Sequence, residues 1–163
     1  MQRHEFRLFA DYSQFYLRDE GADGDLSESW TDGAAARLLA LAPGAVGVGT
    51  VRADWVDAAV EVHEAEPPVE LAAWDHVVEC GLGVPTGRVV VAGGTDYSPD
   101  AARVEVPPGH YRARSCAGGL RVAETGGAGD RYEVQLWPGE GEGVRVLKSY
   151  GGAEPAAVGR PDA

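Results

Sequence analysis

Apolar and polar residues alternate along most of this chain at the spacing of two that a strand with one solvated face requires. In DWVDAAVEVHE (54–64), Val56, Ala58, Val60 and Val62 share one side, while Asp57, Glu61 and His63 belong to the other. In WDHVVECGLGV (74–84), Trp74, His76, Val78, Cys80 and Leu82 alternate with Asp75, Val77, Glu79 and Gly81. Tyr132, Val134 and Leu136 share a face of RYEVQLWP (131–138). Further strands are expected over 46–52, in RVVVAG after the turn Pro85-Thr86-Gly87, on both sides of Pro107-Pro108-Gly109, and over 143–150. The two prolines of EAEPPVEL exclude a ladder there. The opening segment changes phase: Phe6 and Leu8 occupy even positions, Phe15 and Leu17 odd ones. A bulge or bend at Asp11–Ser13, of the kind found at sheet edges, would correct it. Asp11, Tyr12 and Gln14 would then turn outward or enter a local hydrogen-bond network.

One stretch reads as helix. In SWTDGAAARLLALAPG, Thr31 or Ser29 can cap the exposed N–H groups, Asp32 suits the positive end of the dipole, and Pro43-Gly44 is a stop. The segment is apolar on nearly every side except Arg37, so a short helix over residues 31–42 must be buried against a sheet. The pattern as a whole predicts a mainly β chain, an antiparallel β-sandwich of eight or nine short strands with this one helix. Residues 1–150 are expected to form a single domain, and GGAEPAAVGRPDA (151–163), which has no periodicity, a disordered tail.

Charge narrows the function. Against 26 acidic residues stand 14 basic ones, a net charge of −12, which opposes direct binding to nucleic-acid phosphates and favours cationic partners. The acids concentrate early: residues 1–33 hold Glu5, Asp11, Asp19, Glu20, Asp23, Asp25, Glu28 and Asp32 against Arg3, Arg7 and Arg18. Trp30 staples the helix onto the sheet or, on the sharper reading, anchors a partner. The N-terminus has no apolar region of secretory type, and no run approaches the roughly 20 residues of a membrane helix, so the expected setting is the cytoplasm, with no membrane contact. There the two cysteines, Cys80 and Cys116, are expected to be reduced and buried.

Catalytic patterns are sparse. Cys116 follows an arginine-rich strand that could favour a thiolate, yet no base accompanies it. His76 and Cys80 lie roughly 13 Å apart along an extended strand, too far to share an ion. His63 with Glu61 needs a cross-strand neighbour to complete a metal or small-molecule site, and without one His63 reads as a polar-face residue. The glycine-rich pieces GAVGVG and TGGAG lack the lysine and the strand–turn–helix setting of a phosphate loop. No cofactor, metal site or enzymatic activity is expected. The alternative is a small-molecule- or metal-binding β-barrel, perhaps an enzyme, built around His63 and Glu61.

Several short motifs follow one another in a fixed order: Tyr12-x-Gln14-Phe15, Trp30-Thr31-Asp32, a Gly47-Val48 strand ending at Arg52, and Pro107-x-Gly109-x-Tyr111. This order resembles the competence protein J family, in a match spanning roughly residues 6–137. The resemblance implies a small acidic β-sandwich that binds a protein and performs no chemistry, with the founding member's nuclease inhibition as the type. The partner would be a basic protein, a nuclease or a toxin. The residues expected to meet it are Asp11, Tyr12, Gln14, Asp19, Glu20, Asp23, Asp25, Glu28, Trp30 and Asp32. The acidic loop EGADGDLSE, the proline-rich EAEPPVE and the glycine-rich PGEGEG depart from the family pattern, and loops of this kind commonly set partner choice.

Overall fold

A computed structural model describes residues 1–23, 25–93 and 101–150. Among the described residues eleven strands form two sheets. The strands are β1 (Gln2–Phe9), β2 (Gln14–Asp19), β3 (Leu39–Ala42), β4 (Ala45–Gly49), β5 (Trp55–Val62), β6 (His76–Val84), β7 (Arg88–Gly93), β8 (Ala102–Glu105), β9 (Gly109–Gly118), β10 (Arg131–Pro138) and β11 (Arg145–Lys148). The six-stranded sheet runs β1-β5-β10-β9-β6-β11 and the five-stranded sheet β3-β4-β2-β7-β8. The mainly β sandwich expected from the alternation is present. Its pairings are antiparallel except between β5 and β10, which run parallel. Among the described residues neither sheet closes on itself, so the alternative of a barrel is set aside.

One core lies between the sheets. Phe15, Leu17, Val46, Val48, Val89 and Val91 from one side meet Leu8, Val56, Val60, Val78, Leu82, Tyr132, Val134 and Leu136 from the other. Phe15 packs edge-on against Tyr132 with ring centroids 6.1 Å apart. This explains the phase change near the N-terminus. β1 and β2 belong to different sheets, and each turns its own apolar set to the shared interior. The correction is a corner, not a bulge within one strand. A 3-10 turn over Asp11–Ser13 makes it, with Tyr12 and Ser13 in the left-handed region at φ 56° and 59°.

The helix is shorter than its apolar run. Thr31 does cap it, its Oγ1 accepting from the Ala34 N–H at 3.1 Å, but α1 spans only Asp32–Arg37. Leu38 turns left-handed (φ 56°) and donates its N–H to the Ala34 and Ala35 carbonyls, and Leu39–Ala42 continue as β3. A run apolar on every side fits a buried helix or a buried strand, and β4 offers a ladder partner that decides the matter. Pro43-Gly44 (Gly44 φ 70°) is therefore the hairpin turn between β3 and β4. A second helix, α2 (Leu120–Glu124), was not expected. The predicted tail, 151–163, lies outside the described residues.

His76 ties three elements together. Its Nε2 donates to the Arg37 carbonyl at 2.6 Å and its Nδ1 accepts from the Tyr150 N–H at 3.0 Å. Only the neutral ring serves both partners, and burial holds its pKa below the ordinary 6.5 against the opposing pull of the Arg37 carbonyl. A depressed histidine contributes stability that is complete above the unfolded-state value and lost as pH falls towards the folded one. His110 is shifted upward by the Gly139 carbonyl and Glu142, so its contribution has the opposite sign. Chemical denaturation of wild type and H76Q from pH 8 to 5 should therefore separate them. Wild type is expected to lose more stability than the variant as pH falls below 6.5, and parallel curves would contradict this role.

Candidate functional site

The acidic loop lies on the outer face of the five-stranded sheet. Leu26, Ala34, Ala40 and Ala45 form a small buried cluster there, with Tyr16, Trp30 and Ala42 packed against it. Space for it comes from β4, whose outward positions are Ala45, Gly47 and Gly49. A Cβ on Gly47 would stand 3.0 Å from both Leu26 Cδ1 and Trp30 Cζ2, so a larger residue there would push these side chains back by a few tenths of an ångström. The Trp30 indole N–H donates to Gln14 Oε1 at 2.7 Å. Trp30 is thus half-buried and held by its neighbours, in a position that joins α1 to the sheet.

The ten anticipated partner-binding residues divide by this geometry. Asp19 is buried, 3% exposed, and accepts from Gly21 N, Thr86 N and Thr86 Oγ1 at 2.9, 3.1 and 2.7 Å. It ties the loop to the β6–β7 turn. Glu20 bridges Arg88 and Arg103, and these two guanidinium groups hold its carboxyl below the usual range. Gln14 and Trp30 hold each other. Asp11 is half-buried in the 3-10 turn, whereas Tyr12 beside it is 83% exposed. Asp23, Asp25, Glu28 and Asp32 are exposed along the loop and the first turn of α1. Asp25 turns back on its own backbone, accepting from Ser27 N at 3.0 Å. Four carboxylates and Tyr12 therefore face solvent, while Gln14, Asp19, Glu20 and Trp30 are engaged with their neighbours.

A second polar region, on the outer face of the six-stranded sheet, is more deeply buried. Arg114 is 1% exposed, donating to Glu79 at 2.8 Å, Gln135 at 3.0 Å, Glu66 at 3.1 Å and the Pro67 carbonyl at 2.9 Å. Trp137 stacks on its guanidinium, 4.8 Å from the ring centroid. The proline-rich loop is thereby strapped across the sheet, its carbonyls supplying acceptors that a ladder could not. Further along the same face, Arg3 joins Glu61 at 2.6 Å and Glu133 at 2.7 Å, and His63 meets Glu61 at 2.9 Å. Burial acts to raise the Glu61 carboxyl, but His63 and Arg3 outweigh it and hold it below the usual range. This buried run of charges was not anticipated. Its signal was the set Glu79, Arg112, Arg114, Glu133 and Gln135, the polar residues at alternate positions of three strands, which a solvated face explains equally well.

The cross-strand neighbours that His63 and Glu61 needed prove to be Arg3 and Gln135, cationic and amide groups that do not suit a metal. Among the described residues no three His, Cys, Asp or Glu side chains converge on a point suited to an ion. A groove of about 490 Å³ beside β1 is lined by Arg3, Glu5, Asp57, Trp74, Arg131 and Glu133. Its charged groups are already engaged: Arg3 with three carboxylates, Asp57 with Arg7, and Arg131 with Trp74 at 4.2 Å. Cys80 and Cys116 are free and buried on opposite faces of the six-stranded sheet, which excludes a bridge. Burial pushes each thiol up to about 12, and near Cys116 the Arg114 cation offsets this only partly. A protonated, enclosed thiol is no nucleophile.

The tryptophans also settle. Trp74 precedes β6 and covers Arg131 on the outer face, so it is not in the core between the sheets; Trp137 is buried over Arg114. Trp55 is 50% exposed and meets Phe9 edge-on at 5.6 Å.

The Arg114 network makes a direct prediction. R114A leaves Glu79, 4% exposed, without its main counter-charge, and should cost about 3–5 kcal/mol. Replacing both residues (R114M with E79M) should recover most of that loss and still free the strap to proteolysis near Pro67. Denaturant titrations together with limited proteolysis check both, and an R114A variant as stable as wild type would refute the assignment.

No protein-family model matches the chain, and a comparison with curated proteins finds no match. Solved structures do. ComJ from Bacillus subtilis, the inhibitor of the DNA-degrading activity of NucA, superposes with a TM-score of 0.66 at 16% identity, covering 85% of this chain and 96% of that one. The product of crocagin biosynthetic gene J superposes with a TM-score of 0.62 at 16% identity, covering 86% of this chain and all of that one, 100%. The motifs behind the resemblance are the ones that hold the fold. Gln14, Trp30 and Gly47 meet at one point, Arg52 binds Asp130 at 2.9 Å, and the Tyr111 hydroxyl closes its hairpin on the Pro107 carbonyl. The chain therefore shares the fold of ComJ, a nuclease inhibitor.

Proposed function

We propose that this protein is a non-enzymatic binding module that inhibits a basic DNA-degrading nuclease or a toxin of similar charge. The observation that carries the reading is the fold shared with an inhibitor, ComJ, in a chain of net charge −12. A nuclease must present cations to phosphate, and carboxylates on a rigid scaffold can occupy the same cations. Asp23, Asp25, Glu28 and Asp32 are the carboxylates free to do so, held at a fixed height above the five-stranded sheet by Leu26 and Trp30. Tyr12, exposed on a strained backbone at the nearby sheet corner, supplies an aromatic contact of the type that carries binding energy in protein interfaces. Asp19, Glu20 and Gln14 serve by fixing the loop.

Affinity capture on the immobilised protein tests this at low and at physiological salt. The expected catch is a basic protein that degrades DNA and is silenced when the free protein is added. Capture of nothing, or of DNA alone, would sink the proposal. With the catch in hand, the variant D23N/D25N/E28Q/D32N should associate about tenfold more slowly at low salt and lose much of its salt dependence, with little change in dissociation. Unchanged association kinetics would remove the loop from the interface.

A further inference from the structure

A sheet edge exposes unpaired N–H and C=O groups, and proteins blunt such edges with short strands, bulges or covering segments. Three of the four edges here follow that rule. β3 and β8 have four residues each, and β11 has four with a register shift between Val146 and Lys148. β1 does not. It is eight residues long, contains no proline, and keeps one uninterrupted register with β5 from Gln2↔Val62 to Phe9↔Trp55. Among the described residues no strand pairs with its other side.

The hydrogen-bond phase of that free side follows from one contact. The Ala10 N–H donates to the Asp54 carbonyl at 2.9 Å in the continuation of the β1–β5 register, so even positions bond β5. Alternation then points the N–H and C=O groups of Arg3, Glu5, Arg7 and Phe9 outward.

We propose that β1 is a homodimer interface, pairing antiparallel with β1 of a second copy about a two-fold axis at Phe6. Charge selects this register among those the outward groups allow. With the axis at Glu5, Glu5 would face its own copy and Arg3 would face Arg7, like against like. With the axis at His4, Arg3 would face Glu5, but the overlap is shorter. With the axis at Phe6, Glu5 and Arg7 of each copy face Arg7 and Glu5 of the other, and Arg3 pairs with Phe9. About eight backbone hydrogen bonds then join the copies, and the two Phe6 rings meet at the axis as a non-hydrogen-bonded pair, the closest kind. Opposite charges placed directly across such a ladder stabilise it, and like charges do the reverse. Both partners can be reached from the other copy: Glu5 meets Arg3 at 3.0 Å and Arg7 meets Asp57 at 2.8 Å, but these are surface pairs, with the Glu5 and Arg7 side chains 74% and 64% exposed. Two six-stranded sheets would become one continuous sheet, leaving the acidic loop on the other sheet of each copy uncovered.

Sedimentation velocity at physiological salt, where repulsion between two chains of −12 charge is screened, tests the pairing. Wild type is expected to approach twice the 17.1 kDa chain mass as concentration rises. E5R, which sets a cation opposite Arg7, should remain monomeric. E5P should too, since it removes an outward N–H and none bonded to β5; circular dichroism confirms that each variant is folded. The register has its own readout. F6C should form a disulfide-linked dimer on mild oxidation, while L8C, facing His4 of the other copy, should not. A wild type that stays monomeric at every concentration overturns the proposal. So does a dimer unaffected by E5R and E5P, or one linked equally well through L8C.

Discussion

The molecule has one large interior, and every strand must give it one of two faces. Most of what is distinctive follows from that constraint. Because β1 and β2 join different sheets but share the interior, the chain must change phase between Leu8 and Phe15, and it does so through the left-handed Tyr12 and Ser13. Strain of this kind persists only where the surroundings impose it, and here Phe15 against Tyr132 on one side and the β1–β5 ladder on the other leave no alternative. The same alternation sends every second residue outward, and the two outer faces meet that demand differently. One covers itself with an acidic loop on a glycine-cleared strand. The other buries a line of ion pairs beneath a proline-rich strap.

That asymmetry bears on function. The strapped face looks chemically rich, with arginines, carboxylates and a histidine in close array, yet its charges are spent on one another. A ligand entering there would have to displace ion pairs of 2.6–2.8 Å, of which the Arg114–Glu79 pair is buried on both sides. The loop on the opposite sheet has the reverse character: an apolar underside, no mutual neutralisation of its exposed acids, and free access to solvent. A protein that acts by presenting charge to a partner needs the second kind of face.

Alternation made the strands legible in the sequence, and so β5 to β10 were found close to their true places. It failed where it is silent. AAARLLALA is apolar in every phase, so the division between α1 and β3 depended on the ladder that β4 provides. α2 is one short turn-rich segment with no periodic signal of its own. At the candidate site, composition pointed to the acidic loop but could not separate Asp19, which holds the loop by three hydrogen bonds, from Asp23, which is exposed; both are aspartates in a polar run. Arg114 was invisible for a related reason: an outward arginine on a strand is solvated by default, and only the strap from residues far off in sequence encloses it.

The central claim is that the acidic loop over the five-stranded sheet, and not the charged face of the six-stranded one, meets the partner. Hydrogen exchange measured on the protein alone and in complex with a captured DNA-degrading protein addresses it directly. The account predicts new protection over residues 20–32 and at the Tyr12 corner, with the strap at 64–75 unchanged. Protection confined to the strap and to β5 and β10 beneath it would contradict it.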